Sequence, residues 1–156
     1  MGIATDRLVE LGITLPQVTE SIASYKSTRR IGSLVWTSGQ LPFVDGSLAR
    51  TGTVGHGPDH VTPGEAAELA RTCAINALAA VAAELGSLDA VKSVVKVLAF
   101  VASDNDFFEQ STVVNGFSDL LVNVLGERGR HARSAIGVTN LPMNSPVEVE
   151  VIFEAE

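Results

Sequence analysis

Arg133, Glu148 and Glu150 are the residues whose types and spacing come closest to a site. Arg133 lies in an apolar, strand-like run, His131-Ala132-Arg133-Ser134-Ala135-Ile136-Gly137-Val138. A turn with Leu141-Pro142 and Asn144-Ser145-Pro146 follows, and then valine and glutamate alternate in Val147-Glu148-Val149-Glu150-Val151. Side chains along a strand point to opposite faces in turn, so the two glutamates share one face and the valines the other. If the two runs pair, a rigid sheet presents one guanidinium and two carboxylates. The guanidinium suits a small polar anion, and a desolvated carboxylate beside it has the raised pKa that a general base or acid needs. The plainer reading is an exposed sheet face on which Arg133 is the cross-strand ion-pair partner of the glutamates, since charged strand positions are mostly solvated. Against it, the stretch from Val147 to Phe153 contains no other polar side chain.

Other candidate chemistry is weaker. His56, Asp59 and His60 have an H-x3-H-type spacing, but Gly57 and Pro58 between them leave no helix to align two imidazoles, so they read as exposed loop histidines and no metal is expected. His131 reads as a loop or strand-edge residue. Ser38, in Trp36-Thr37-Ser38-Gly39-Gln40, is not in a G-x-S-x-G elbow and suits a hydrogen-bonding role at a cleft rim better than nucleophilic attack. The glycine-rich Thr51–Gly57 stretch lacks the Gly-Lys-Ser/Thr ending of a phosphate loop. Cys73, the one cysteine, has Ala70, Ala74 and Ala77 as helical neighbours and reads as a buried, inert thiol.

The elements that must position these residues fill one domain spanning residues 1–156, with no internal repeat or linker. Residues 3–11 suggest a short helix capped by Thr5 or Asp6 and closed by Gly12. From Ser21 to Gly39 the chain reads as two β segments with a turn near Ile31-Gly32. Residues 40–61 read as loop, with a short strand or turn at Asp45-Gly46. Thr62-Pro63-Gly64-Glu65 is a capping box with proline at the first helical position, opening an alanine-rich helix to Leu85 that Gly86 stops. Val91–Val101 is β-branched almost throughout, as in a central strand. Asp104-Asn105-Asp106 reads as the cap of a second long helix, from about 106 to Leu125. Strands at about 133–138 and 147–154 end the series. The economical architecture is α+β: a mixed β-sheet with two helices packed on one face. The apolar content exceeds what two helices can hide, which implies a homo-oligomer packing sheet against sheet, with clefts at subunit boundaries.

Composition narrows the partners. Eighteen acidic residues against 11 basic ones give a net charge of −7, and aromatics make up only 5%. Nucleic-acid binding needs a positive face and stacking platforms, so no nucleic acid is expected as main partner. No window approaches the roughly 18 unbroken apolar residues of a membrane span, and the N-terminus lacks the basic and apolar regions of a signal peptide, so no membrane is expected. A single cysteine is compatible with a reducing, cytoplasmic setting.

Four motifs in order make the chain similar to the RidA/YjgF superfamily, small proteins once labelled translation inhibitors or L-PSP endoribonucleases. They are Ser21-Ile22-Ala23-Ser24-Tyr25, then Val35-Trp36-Thr37-Ser38-Gly39-Gln40-Leu41-Pro42, then Ala132-Arg133-Ser134 with Leu141-Pro142, and finally Val147-Glu148-Val149-Glu150. The resemblance covers about residues 20–156. It implies a chorismate mutase-like fold assembled as a homotrimer, with three sheets forming an inner barrel and ligand sites between subunits. For the deaminase branch it implies that Arg133 grips a substrate carboxylate and Glu148 activates water to attack an imine carbon. Tyr25 and Ser38 would then hold substrate and water, with Asn115 nearby. The partner would be a small carboxylate-bearing molecule and no cofactor is needed. The products would be a 2-oxo acid and ammonia. The alternative is a non-catalytic trimer that binds a small carboxylate or regulates. The old endoribonuclease label fits poorly with an acidic chain. Two departures stand out. Arg133-Ser134-Ala135 replaces the Arg-Ser-Cys frequent in deaminase members, and the extra N-terminal helix and longer 43–61 loop look like a separate, longer branch.

Overall fold

The alternating valines and glutamates near the C-terminus do form a strand, but it lies inside the sheet and away from the arginine-bearing run. In the computed structural model, which describes residues 2–18 and 24–156, the strands are β1 (Thr28–Ile31), β2 (Leu34–Thr37), β3 (Phe43–Val44), β4 (Ser47–Leu48), β5 (Val91–Ala102), β6 (Ala132–Val138) and β7 (Val147–Ala155). Five of them make one sheet in the order β1-β2-β7-β5-β6, and β3 and β4 form a separate hairpin. The β5–β6 pair is parallel and the other pairs are antiparallel, so the sheet is mixed. The C-terminal arginine and glutamate runs therefore do not pair. Strand β5 separates them, because β6 returns parallel to β5 through a helical crossover while β7 takes the opposite edge of β5.

Among the described residues three α-helices accompany the sheet: α1 (Ile3–Glu10), α2 (Pro63–Leu85) and α3 (Gln110–Leu125). The capping box at Thr62 and Glu65 is complete, and Gly86 ends α2 in the left-handed region at φ +80°. By length and composition alone α2 resembles a membrane span. It is instead a core helix, with Ala66, Ala70, Cys73, Ala74, Ala77 and Leu78 fully buried.

Two helix starts differ from expectation. Thr5 and Asp6 lie within α1, and the cap comes from far along the chain. The Ala4 N–H donates to Asp89 Oδ1 at 3.0 Å and the Thr5 hydroxyl to Asp89 Oδ2 at 3.2 Å. Asp104 and Asp106 do not cap α3. Asp104 instead accepts the Phe107 N–H in a turn and holds His60 with its carboxylate, and the helix opens at Gln110. The first hairpin turns at Gly32-Ser33, with Gly32 at φ +60°. In the 40–61 segment, Asp45 (φ 50°) and Gly46 (φ 80°) form the two-residue turn of the β3–β4 hairpin, the conformation such turns require. The strand expected from Ser21 begins only at Thr28, and the motif residues Ser21-Ile22-Ala23 lie outside the described residues.

Register separates the two faces of the sheet. Val97 pairs with Val151 and Arg133, Ala99 with Val149 and Ala135, and Val101 with Val147 and Gly137. The valines of this face are buried beneath α2 and α3. On the opposite face, Phe100 pairs with Glu148 and Ile136, Leu98 with Glu150 and Ser134, and Trp36 with Ile152. Among the described residues of one chain no helix covers this outer face, and Leu34, Trp36, Leu98, Phe100 and Ile152 are all partly exposed there. Apolar side chains outnumber charged ones on it.

Candidate functional site: two half-sites on one chain

Paired residues in a ladder share a face. Arg133, opposite Val97, thus points to the helix side, and Glu148, opposite Phe100, to the outer side. The cross-strand ion pair between Arg133 and the glutamates does not exist in this chain. What the fold builds is two separate groups.

The first group is cationic. Arg133 Nη1 donates to Asn115 Oδ1 at 2.9 Å and to Ser118 Oγ at 3.1 Å, and Nη2 donates to the Ser111 carbonyl at 3.3 Å. All three partners belong to α3, and Asn115 and Ser118 are three residues apart on one helical face. A guanidinium has five N–H groups. Three are engaged here, leaving Nε–H and one N–H of Nη2 without a partner among the described residues. Nε and Nη2 lie on one edge of the guanidinium, an edge whose spacing matches a carboxylate.

The second group is anionic. Glu148 is half-buried, and burial followed by the neighbouring Glu150 carboxylate raises its pKa above the ordinary carboxylate range. It packs against the backbone of Gly39, where a Cβ would fall on the Glu148 carboxylate and within 3.0 Å of its Cγ. Gly39 is fixed because Gln40 exchanges both backbone hydrogen bonds with Val149, at 2.8 and 3.1 Å. Just before it, the Ser38 hydroxyl donates to the Lys26 carbonyl at 2.6 Å, which ties the end of β2 to the segment that carries Tyr25. Tyr25 itself is 62% exposed. Gly39→Ala is expected to push the Glu148 carboxylate outward and return its pKa toward the ordinary range. Carbon-13 NMR titration of the Glu148 carboxyl checks this, and an unchanged midpoint would show that the glycine does not confine it.

The remaining candidates lie apart. Cys73 is fully buried, and burial together with the Glu148 charge pushes its thiol pKa well up. That suppresses the thiolate. His60 pairs with Asp104 at 3.2 Å and sits in a cradle of Gly55 and Gly57, while His56 pairs with Glu109. These pairs fasten the 54–60 segment to the stretch leading into α3. Among the described residues there is no group of three or more His, Cys, Asp or Glu placed to hold a metal ion. Two surface concavities, of about 570 and 360 Å³, contain neither Arg133 nor Glu148. Sequence reasoning missed Gly39, Ser118 and His131. Ser118 was within reach, since its i+3 spacing from Asn115 puts both on the Arg133 side of α3.

A family model described as "YjgF/chorismate mutase-like, putative endoribonuclease" matches residues 5–155. The chain belongs to the YjgF family. Protein TCP17 of Trypanosoma cruzi is 44% identical over 154 residues, 98% of this chain and 94% of its own length. Among solved structures of similar proteins, Atu1372 of Agrobacterium tumefaciens, described as of unknown function, superposes with a TM-score of 0.89. It is 42% identical and covers 99% of this chain and 94% of its own. A protein of Shewanella oneidensis described as a putative endoribonuclease gives a TM-score of 0.91 at 30% identity, covering 98% of this chain and 99% of its own. The mixed sheet with helices on one face is thus the YjgF fold, as the sequence motifs imply.

Proposed function

We propose that this YjgF-family chain assembles as a cytoplasmic homotrimer that hydrolyses small 2-imino acids to 2-oxo acids and ammonia at clefts between subunits. The observation that carries the proposal is the division of the site: a braced guanidinium with an unused fork on one face, and a half-buried carboxylate of raised pKa on the other. One chain cannot bring both to one small molecule, because the sheet lies between them. A second copy laid against the apolar outer face would bring its Arg133 group to the first copy's Glu148. The same contact removes apolar surface from water, at about 25 cal/mol per Å².

In this arrangement Arg133 receives the substrate carboxylate through Nε and Nη2, which fixes the imine carbon. Glu148 takes a proton from water as the water oxygen bonds to that carbon and the C=N electron pair moves to nitrogen. That proton passes to nitrogen to give a tetrahedral amino alcohol. As the C–N bond breaks, the proton of its hydroxyl is carried to nitrogen by way of Glu148, so that ammonia leaves and the carbonyl forms. Burial of Glu148 helps because a carboxylate of raised pKa is a stronger base. The net charge of −7 is unfavourable for RNA as a substrate.

The test is to generate 2-iminobutyrate in situ and follow its loss with and without protein. No acceleration would sink the deaminase reading. A trimer carrying only carboxylate-binding sites would still bind pyruvate through Arg133, and Arg133→Ala would weaken that binding by about tenfold to a hundredfold. The intersubunit geometry has its own test. Arg133→Ala and Glu148→Gln are each expected to be inactive alone, yet co-refolding them should restore part of the activity, because some mixed interfaces keep both native residues. Absence of any recovery would place Arg133 and Glu148 outside a common cleft.

A further inference from the structure

Behind Arg133 lies a hydrogen-bond chain whose proton positions are set by chemistry. His131 Nδ1 is 2.6 Å from the Gly129 carbonyl oxygen. A carbonyl only accepts, so Nδ1 carries the proton. In a neutral imidazole Nε2 is then an acceptor. The partner of Nε2, at 2.9 Å, is the Ser118 hydroxyl, which must donate. Its O–H directed at His131, Ser118 Oγ turns its lone pairs elsewhere, and Arg133 Nη1 donates to it at 3.1 Å. Every donor and acceptor from Arg133 to Gly129 is thus satisfied in one direction only.

We infer that His131 is a positioning residue for Arg133, acting through the Ser118 hydroxyl to fix the orientation of the guanidinium toward a carboxylate ligand. The inference rests on the carboxylate-binding reading of Arg133. A serine hydroxyl without a fixed acceptor rotates, and in some rotamers it aims its own proton at Nη1. His131 removes those rotamers. The imidazole is kept neutral, as the relay needs, because burial and then the Arg133 charge lower its pKa, outweighing the Gly129 hydrogen bond that raises it. The ring lies between the 3-10 turn Gly126–Gly129 and α3, at the entrance to β6. Asn115 and the Ser111 carbonyl hold the guanidinium from other directions, so the relay sets its angle while those contacts keep it near α3.

The experiment is a calorimetric titration of pyruvate into the wild type and five variants, Arg133→Ala among them, with nitrogen-15 NMR of the histidine rings. Ser118→Ala and His131→Ala are each expected to weaken pyruvate binding about fivefold to tenfold, as for loss of one ordinary hydrogen bond, since neither residue touches the ligand itself. The double variant is expected to bind no more weakly than Ser118→Ala, because both changes break one relay. His131→Gln, whose amide oxygen replaces Nε2 as acceptor, should bind within about twofold of wild type on the same scale. NMR should show the His131 proton on Nδ1. Wild-type binding in His131→Ala, multiplying effects in the double variant, a Gln variant as weak as Ala, or the proton on Nε2 would each overturn the relay. If Arg133→Ala weakens binding while the Ser118 and His131 variants do not change it, the relay fails and the carboxylate reading stands. If the wild type binds no pyruvate, the carboxylate reading fails and the relay with it.

Discussion

Glu148→Gln is expected to lower the rate of imine hydrolysis by about a hundredfold to ten-thousandfold, the range typical of a positioned general base. Glutamine keeps the shape of the side chain against Gly39 and still hydrogen-bonds water, but it cannot take its proton. Pyruvate binding is expected to survive, because the fork belongs to Arg133, so the loss should fall on kcat. The pH profile follows from the same carboxyl group. A base works only when ionised, and burial and Glu150 raise the Glu148 pKa. Activity should therefore be absent at low pH and rise through a midpoint above the ordinary carboxylate range. Glu150→Gln removes the like charge and should move that midpoint down. Stopped-flow rates across pH for the three proteins check both statements. A Glu148→Gln enzyme with wild-type kcat would remove Glu148 from the chemistry.

Gly116→Ala is expected to cost about 1–3 kcal/mol of stability, the usual range for forcing extra volume into a packed contact, with the upper end favoured here. A Cβ at Gly116 would overlap the backbone carbonyl oxygen of Ala67 and come within 2.8 Å of its carbonyl carbon. Backbone cannot swing aside as a side-chain end does, so α2 and α3 must separate. For a chain of this size the melting temperature should fall by about 5–10 °C. The displacement also reaches the site, since Asn115 and Ser118 flank Gly116 on α3 and hold Arg133. Thermal unfolding and pyruvate titration of the variant should deteriorate together. An unchanged melting temperature would mean that the helices yield at no cost.

What the sequence made legible is governed by local rules. The capping box at Thr62 and Glu65 fixes one end of α2 and Gly86 the other, and both belong to short-range chemistry. The period-two run at 147–151 shows which residues share a face. It does not show which strand lies alongside, because neighbours in a sheet are chosen by tertiary packing. For that reason the separation of β6 from β7 was not legible, nor was the placing of Arg133 and Glu148 on opposite faces. Asp104 illustrates a second limit. It has the residue type of a cap, but His60, distant in sequence, takes its carboxylate and the helix starts later. Asp89 is the converse, capping α1 from some 85 residues away. The family motifs point to Arg133, Glu148, Ser38 and Asn115; in the structure Arg133 and Asn115 are hydrogen-bonded on the helix side and Glu148 lies on the outer side. Tyr25 is exposed, next to Lys26, whose carbonyl accepts the Ser38 hydroxyl.

The place of β7 in the sheet also bears on the order in which the molecule can be built. It joins the β1–β2 hairpin on one side to β5 and β6 on the other, and among the described residues no other strand bridges them. During synthesis the hairpin and the β5–β6 unit emerge with a vacant slot between them, and it is filled only when residues 147–155 leave the ribosome. The sheet therefore closes only after β7 has emerged. Loss of those residues at a premature stop would leave two unconnected pieces with exposed strand edges, a substrate for proteases and chaperones.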